Sequence, residues 1–145
     1  QQVLEWRRGF AVRPPALAYD HPTHPRNDSR YSGVPDLPGA ESLADTLIRV
    51  NAWWQEVLIP LLRTDQCVLV VAHGNSLRAL TKLLEHLSEE EILEFNIPTG
   101  IPMVYLLDED LTVLNRRFLA DDAKLKAAVD EVRNQAYAKQ SNHSG

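Results

Sequence analysis

The sequence predicts an α/β fold in which a mostly parallel sheet is flanked by helices, and two observations carry this prediction. Cys67 to Ala72 is a continuous run of apolar and β-branched residues, the pattern of a strand buried on both faces of a parallel sheet. Leucines then recur at helical spacing over residues 76–87. His73-Gly74 begins the turn between the two segments, so the order is strand, tight turn and helix. We expect the thiol of Cys67, the only cysteine, to be buried.

The first third of the chain predicts two helices separated by a long irregular loop. Residues 2–10 have the pattern of a short amphipathic helix, and apolar residues at three- and four-residue steps predict a long helix over 41–62. Pro60 is expected to kink its last turn. The loop at 13–40 is rich in proline and glycine. A loop this long in a compact domain is a lid, a binding segment or a linker, and we favour a loop packed over a site.

The second half predicts two short helices and a pair of strands. Residues 88–91 have the S-x-x-E form of a capping box, which starts a short helix. Strands over 103–107 and 112–119 are expected to pair antiparallel. A last helix runs from an aspartate cap to about residue 138, and residues 139–145 are expected to be a mobile polar tail.

The strand count is too small for a complete parallel sheet. A central parallel strand needs a neighbour on each side, and the 103–119 pair covers one side at most. The chain also begins at Gln1, inside a helical pattern without a capping residue. We therefore expect residues 1–138 to be part of a single domain, with at least one strand and its crossover helix outside these 145 residues.

Charge and composition exclude several partners. The 15 basic and 20 acidic side chains give a formal net charge of −5, which disfavours nucleic acid as a partner. The longest apolar runs are far shorter than the roughly 20 residues of a transmembrane helix, so no membrane span is expected. A single cysteine cannot form an internal disulfide, and we expect a reducing, cytoplasmic setting.

The candidate chemistry lies at the end of the predicted strand. In an open α/β sheet, ligands bind beyond the carboxyl ends of the strands, and the amides that open the next helix attract anions. His73 stands at that end, and the amides of Gly74 and Asn75 are expected to face the ligand. The adjacent Arg7 and Arg8 are candidates for holding a polyanionic substrate, although such a pair is ordinarily a solvated face.

Two competing motifs are weaker. Ser76 follows Gly74 as in a nucleophile elbow, but Arg78 stands where that motif has its second glycine. His21 and His24 are close enough to suggest a metal pair, yet each precedes a proline and no third ligand is nearby. We expect no metal site.

Taken together, the motifs resemble those of the 2,3-bisphosphoglycerate-dependent phosphoglycerate mutases, within the histidine phosphatase superfamily. The likeness runs in order from residue 2 to about residue 138. It rests on W-R-R at 6–8 with P-P at 14–15, R-Y at 30–31, E-S-L at 41–43, A-H-G-N-S-L-R at 72–78 and N-I-P-T-G-I-P at 96–102.

The resemblance implies a three-layer α/β fold and the interconversion of 3-phosphoglycerate and 2-phosphoglycerate, a step of glycolysis and gluconeogenesis. It implies a phosphohistidine intermediate, 2,3-bisphosphoglycerate as the phosphoryl primer, no metal, and a homodimer or homotetramer. By the same resemblance, His73 is the second active-site histidine, which stabilises the transferring phosphoryl group. Gly74 and Asn75 contact the substrate, and Arg7 and Arg8 bind it.

The sequence departs from the family at two catalytic positions. The family's nucleophilic histidine lies in an R-H-G motif, and its general acid is a glutamate before the arginine pair; neither segment occurs here. Glu5 is too close to Arg7 to be that acid. The resemblance therefore implies the C-terminal portion of a mutase, inactive by itself. Two alternatives stay open: a histidine phosphatase acting on a small phosphorylated metabolite, and a non-catalytic remnant that binds a ligand or a partner.

Overall fold

The computed structural model describes residues 2, 5–6 and 9–135, so only parts of the helix predicted over 2–10 are seen, and the predicted tail lies outside the described residues. The described chain is a mixed arrangement of helices and one antiparallel strand pair. The helices are α1 (Leu43–Trp53), α2 (Ile59–Leu62), α3 (Gly74–Glu85), α4 (Glu89–Glu94) and α5 (Asp122–Gln135); the strands are β1 (Met103–Leu107) and β2 (Val113–Phe118).

The predicted long helix is α1 and α2, joined by a π-helical turn over Trp54–Leu58. Ser42 and Asp45 form a reciprocal capping box that starts α1. The predicted irregularity at Pro60 takes the form of this wider turn, in which the amide of Ile59 bonds to the carbonyl of Trp54. Proline has no amide to donate and its ring crowds the carbonyl four residues earlier, so a local widening accommodates it.

The core lies where α1, α3 and α4 meet. Leu43, Ala79 and Ile92 are buried together, with Ala79 and Ile92 at 0% exposure, and Phe10 packs against them. Helix α4 begins with the predicted capping box, Ser88 and Glu91, which is confirmed. Because Ala79 has almost no side chain, the backbones of α1 and α3 approach closely at this point.

The predicted antiparallel pair is confirmed. Strands β1 and β2 are in register from Met103 opposite Phe118, with an irregularity after Leu106. The hydroxyl of Tyr105 donates to Glu85 Oε1 at 2.5 Å, and Arg116 donates to both Glu85 oxygens at 2.8 and 2.9 Å. This network fixes the pair of strands to the carboxyl end of α3.

The prediction of a strand over residues 67–72 is wrong for this chain. The segment has no regular secondary structure, and the strands of the described chain form one two-stranded sheet, without a parallel pair. Leu69 is 83% and Val71 is 86% exposed, and Cys67 is exposed rather than buried. A strand needs hydrogen-bonding neighbours, and no described segment lies beside this one as a strand. The predicted three-layer parallel sheet stays a prediction.

The predicted long loop contains two single 3₁₀ turns, Pro25–Asn27 and Ser29–Tyr31. The amide of Leu17 donates to the carbonyl of Gly39 at 3.0 Å and closes the loop on itself. Gly39 permits this approach, since a Cβ there would stand 2.8 Å from the carbonyl oxygen of Leu17. The loop is therefore an internally closed unit rather than an extended linker.

Candidate active site

A cleft of about 290 Å³ lies where the amino-terminal ends of α1 and α3 meet. Its walls come from three stretches of chain: the segment before the long loop, the first half of α1 with the residues that precede it, and the start of α3. Six of its lining residues are Gly9, Ser42, Thr46, His73, Asn75 and Ser76. His73, the predicted catalytic histidine, therefore lines a cavity whose other wall is formed by α1.

His73 caps α3 with its own side chain. Its backbone is extended, with φ −63° and ψ 147°, and its Nδ1 accepts the amide hydrogen of Asn75 at 3.2 Å. An accepting Nδ1 carries no proton, so the neutral ring carries its hydrogen on Nε2. The side chain is exposed. His73 therefore offers one N–H donor to a ligand while the other ring nitrogen fixes the ring orientation.

Gly74 is the first residue of α3. A Cβ built at this position would meet no atom within 4 Å, so the space beside its backbone is open. The amides of the first helical turn have no intrahelical partner, and they give this end of the helix a partial positive charge. The position suits the close approach of an anion to the backbone.

The opposite wall is the start of α1, which is held by a cluster of polar groups. Asp45 Oδ2 accepts hydrogen bonds from the amide of Ser42 at 2.8 Å and from its hydroxyl at 2.7 Å. Arg13 binds the same carboxylate with both arms of its guanidinium, Nε lying 2.7 Å from Oδ2. The hydrogen bond from Arg13, followed by those from Ser42, holds the pKa of Asp45 well below its usual range.

Two arginines border the cleft, and both are engaged by groups of the protein. Arg49 forms a bidentate pair with Glu41, which also lines the cleft, with Nη2 at 3.0 Å from Oε2. Arg78 is 7% exposed, and its guanidinium donates to the carbonyl of Ile92 at 2.6 Å and to Asn75 Oδ1 at 3.4 Å. Arg78 thus links α4 to Asn75, and the amide of Asn75 in turn donates to His73 Nδ1.

The structure brings together three of the five predicted site residues. His73 and Asn75 line the cleft, and Gly74 lies between them. Arg7 and Arg8 lie outside the described residues, although their neighbours Trp6 and Gly9 both line the cleft. The amide of Gly9 bonds to the carbonyl of Glu5 at 2.7 Å, and a Cβ at this position would stand 2.4 Å from that carbonyl oxygen.

Sequence reasoning did not assign Thr46 or Arg49 to the site. Both lie on α1, one and two turns after the cap at Ser42, so their spacing from that cap is the signal that was available. No residue of the loop over 13–40 is among those that line the cleft, and that the loop packs over the site stays a prediction. His24, one of its two histidines, is 3% exposed, and its Nδ1 accepts the amide of Arg26.

Two further observations concern metals and membranes. Within residues 2, 5–6 and 9–135, no three His, Cys, Asp or Glu side chains are grouped to hold a metal ion. None of the helices that the structure describes is long and apolar enough to cross a membrane.

The arrangement is suited to a small anion. Two helices of eleven and twelve residues begin at the cleft, so the partial positive charges of both helix starts lie at the same cavity. At α1 the amides of Ala44 and Asp45 are already bonded, to the carbonyl of Phe10 and the hydroxyl of Ser42. The hydroxyl of Ser76 and the Nε2–H of His73 add side-chain donors, whereas the hydroxyl of Thr46 donates to the carbonyl of Ser42 at 3.2 Å. A phosphoryl group, an anion with several acceptor oxygens, is a ligand that such donors can bind.

Comparison with known proteins finds both a matching family model and similar individual proteins. Residues 11–118 match the model of the histidine phosphatase superfamily (branch 1), which is well over half of the chain. The chain is also 50% identical over 140 residues to a 2,3-bisphosphoglycerate-dependent phosphoglycerate mutase of Hydrogenobaculum sp. (strain Y04AAS1). This match covers 95% of the chain and 57% of the relative's length. The chain belongs to the histidine phosphatase superfamily.

Proposed function

We propose that the protein interconverts 3-phosphoglycerate and 2-phosphoglycerate, in glycolysis and gluconeogenesis, and that the cleft at His73 is half of its active site. The observation that carries the proposal is the ring of His73, oriented by the amide of Asn75 at a cavity where two helices begin. The 50% identity to a protein named as a phosphoglycerate mutase supports the choice of substrate.

His73 would stabilise the phosphoryl group during transfer. Phosphoryl transfer depends mainly on positioning and on neutralising charge on the equatorial oxygens. With Nδ1 occupied by the amide of Asn75, the Nε2–H of His73 is the donor that remains for such an oxygen. The amide fixes the ring before the substrate arrives, so little reorganisation is needed during the reaction.

Gly74 and Asn75 would contact the substrate, and Arg7 and Arg8 would bind its charged groups. The open space beside Gly74 supports a close approach of the ligand to the backbone. Guanidinium groups hold carboxylates and phosphates through paired hydrogen bonds, which suits a substrate that carries both. Trp6 and Gly9, on either side of the arginine pair, line the cleft.

The phosphate-accepting histidine would come from outside these 145 residues. None of the five histidines lies between an arginine and a glycine. The donor-rich cleft fits a phosphorylated primer, and 2,3-bisphosphoglycerate would supply the phosphoryl group that loads the nucleophile. The resemblance to the 2,3-bisphosphoglycerate-dependent mutases is the basis for the further proposal that no metal is required.

Residues 1–138 would form one portion of a single three-layer domain. The exposed Leu69 and Val71 support this reading, because they leave two large apolar side chains for a further strand to cover. The chain spans 57% of the relative's length, which leaves room for such a segment. We further propose that the protein is cytoplasmic and that it forms a homodimer or homotetramer. Light scattering of the purified protein gives its molar mass and so tests the oligomeric state.

The decisive experiment changes His73 in the polypeptide translated from the complete reading frame that contains this chain. His73→Asn retains an N-cap, since asparagine is a good capping residue, and removes the imidazole. We expect kcat for 3-phosphoglycerate, with 2,3-bisphosphoglycerate present, to fall by about 10² to 10³. The matched control is His86→Asn, at the exposed end of the same helix, where asparagine tolerates the φ of 53°. Equal turnover in both variants would refute the role of His73.

Two assays separate this function from its alternatives. The 145-residue chain alone should show no mutase turnover, and full turnover would show that it contains its own nucleophile. In the complete protein, release of inorganic phosphate at a rate above that of isomerisation would instead favour a histidine phosphatase, which the superfamily membership also permits. Absence of both activities in the complete protein would favour a non-catalytic binding remnant.

A further inference from the structure

The segment that follows the arginine pair is tied to the start of α1 at two points. The amide of Ala44 donates to the carbonyl of Phe10 at 2.9 Å. Three residues later, the Nε and Nη2 groups of Arg13 donate hydrogen bonds to the two carboxylate oxygens of Asp45. Two successive residues of α1 therefore hold the backbone between Phe10 and Arg13. We call these two contacts the α1 anchor.

Asp45 is the junction of this anchor and the helix cap. Its carboxylate accepts two hydrogen bonds from Ser42 and two from Arg13, so its main acceptor positions are filled. The side chain of Asp45 is 19% exposed and that of Arg13 is 64% exposed. The carboxylate is fixed by its neighbours, whereas Arg13 reaches it from the surface.

The anchor joins the two walls of the cleft. Gly9 lies on one side of it and lines the cleft, and Ser42 lines the cleft from α1. Phe10 packs against the core that contains Ala79, a residue of the helix that begins after His73. The contact between Arg13 and Asp45 therefore limits how far Gly9 and Phe10 can shift relative to His73.

We infer that Arg13 and Asp45 are positioning residues for substrate binding: their ion pair holds the segment from Gly9 to Arg13 against the start of α1, and this segment directly follows the proposed substrate-binding Arg7 and Arg8 in the sequence. This inference rests on the proposed function for its substrate. Neither residue is required to touch the ligand. Their effect is on the affinity of the preformed site, because a mobile arginine pair loses more conformational freedom when a ligand binds.

The test uses Arg13→Met in the protein from the complete reading frame, since methionine keeps the aliphatic length and removes the charge. We expect the Kd for 3-phosphoglycerate, measured by calorimetry, to rise about fivefold, the equivalent of about 1 kcal/mol. The kcat should stay within about twofold, because the chemistry at His73 is unchanged. Hydrogen exchange of the Ala44 amide should become about fivefold faster. Arg13→Lys keeps the positive charge, so its Kd and its exchange rate at Ala44 should lie between those of the parent protein and of Arg13→Met.

The control removes an ion pair that does not line the cleft and whose arginine is similarly exposed, 54% against 64% for Arg13. Arg133→Met breaks the pair between Arg133 and Glu94 and should change neither Kd nor the exchange of Ala44. An unchanged Kd in Arg13→Met would overturn the inference, even if exchange at Ala44 increased, because the pair would then be only structural. If the parent protein shows no mutase turnover, the proposed function fails. Unchanged exchange of the Ala44 amide in Arg13→Met would separately overturn the α1 anchor.

Discussion

Two apolar parts of this chain have opposite surroundings. In the helical core, Ala79 and Ile92 are fully buried between α1, α3 and α4. In the run over 67–72, Leu69 and Val71 are more than four-fifths exposed. The exposed run is the more continuously apolar of the two in sequence, so hydrophobicity alone does not decide which of them becomes core.

The difference lies in where each backbone finds its hydrogen bonds. A helix pairs its amides and carbonyls within itself and needs a partner only for its apolar face. A strand leaves both edges unpaired until neighbouring strands arrive. Helices α1 and α3 therefore form a core with each other, whereas residues 67–72 have no strand beside them in the described chain.

The largest effect is expected in the helical core. Ile92→Ala removes a fully buried side chain and should lower the free energy of unfolding by about 3 kcal/mol, through lost burial and the cavity left behind. Ile48→Ala is the matched control, because Ile48 lies on α1 and is 70% exposed. It should change the free energy by less than about 0.5 kcal/mol. Equal losses in urea unfolding would contradict the position of the core.

The two capping boxes give the next largest difference. Ser42→Ala should lower the free energy of unfolding by about 1.5 kcal/mol, because it removes both the cap of α1 and a donor to Asp45. Ser88→Ala removes the same type of cap from a six-residue helix, but Ser88 is exposed. We expect a cost of about 0.5 kcal/mol there. Chemical denaturation of both variants checks the order, and a larger loss at Ser88 would reverse it.

Tyr105 links the strand pair to the helical core and makes this link sensitive to alkaline pH. Burial, and the hydrogen bond to Glu85, raise the pKa of Tyr105 to about 12. Since its unfolded pKa is about 10, the neutral phenol stabilises the fold below pH 10, and this contribution is lost as the pH rises toward 12. Tyr105→Phe should lower the free energy of unfolding by about 1 kcal/mol at pH 7. The variant should also lack the decrease in stability between pH 10 and pH 12, because it has no phenol to ionise. Tyr31→Phe, at an exposed tyrosine, is the control. An unchanged pH profile in Tyr105→Phe would contradict the link.

Local signals allowed most of the described fold to be predicted. The capping box at Ser88, the paired strands and the long helix from residue 43 depend on neighbours in sequence, and each was found. The burial of residues 67–72 depends on a partner strand, so no property of that run could establish it. The π-helical turn before Pro60 was expected only as a kink.

Only part of the candidate site could likewise be predicted from the sequence. His73 and Asn75 were predicted because turn and helix signals placed them at one helix start. The wall formed by Ser42, Thr46 and Arg49 was not, since it depends on how α1 packs against α3. A contact between helices that are distant in sequence is set by side-chain fit, which a single sequence does not display.

The smallest effect expected in the 145-residue chain itself is at the exposed run over 67–72. Leu69→Ser in the 145-residue chain should change the free energy of unfolding by less than about 0.5 kcal/mol, because Leu69 is 83% exposed. In the protein from the complete reading frame, the same substitution should cost about 2 kcal/mol if a neighbouring strand covers that side chain. Urea unfolding of both pairs of proteins gives the two differences. Equal, small effects in both proteins would mean that Leu69 stays exposed and that the parallel sheet is not completed there, whereas a large effect confined to the longer protein would place residues 67–72 in its core.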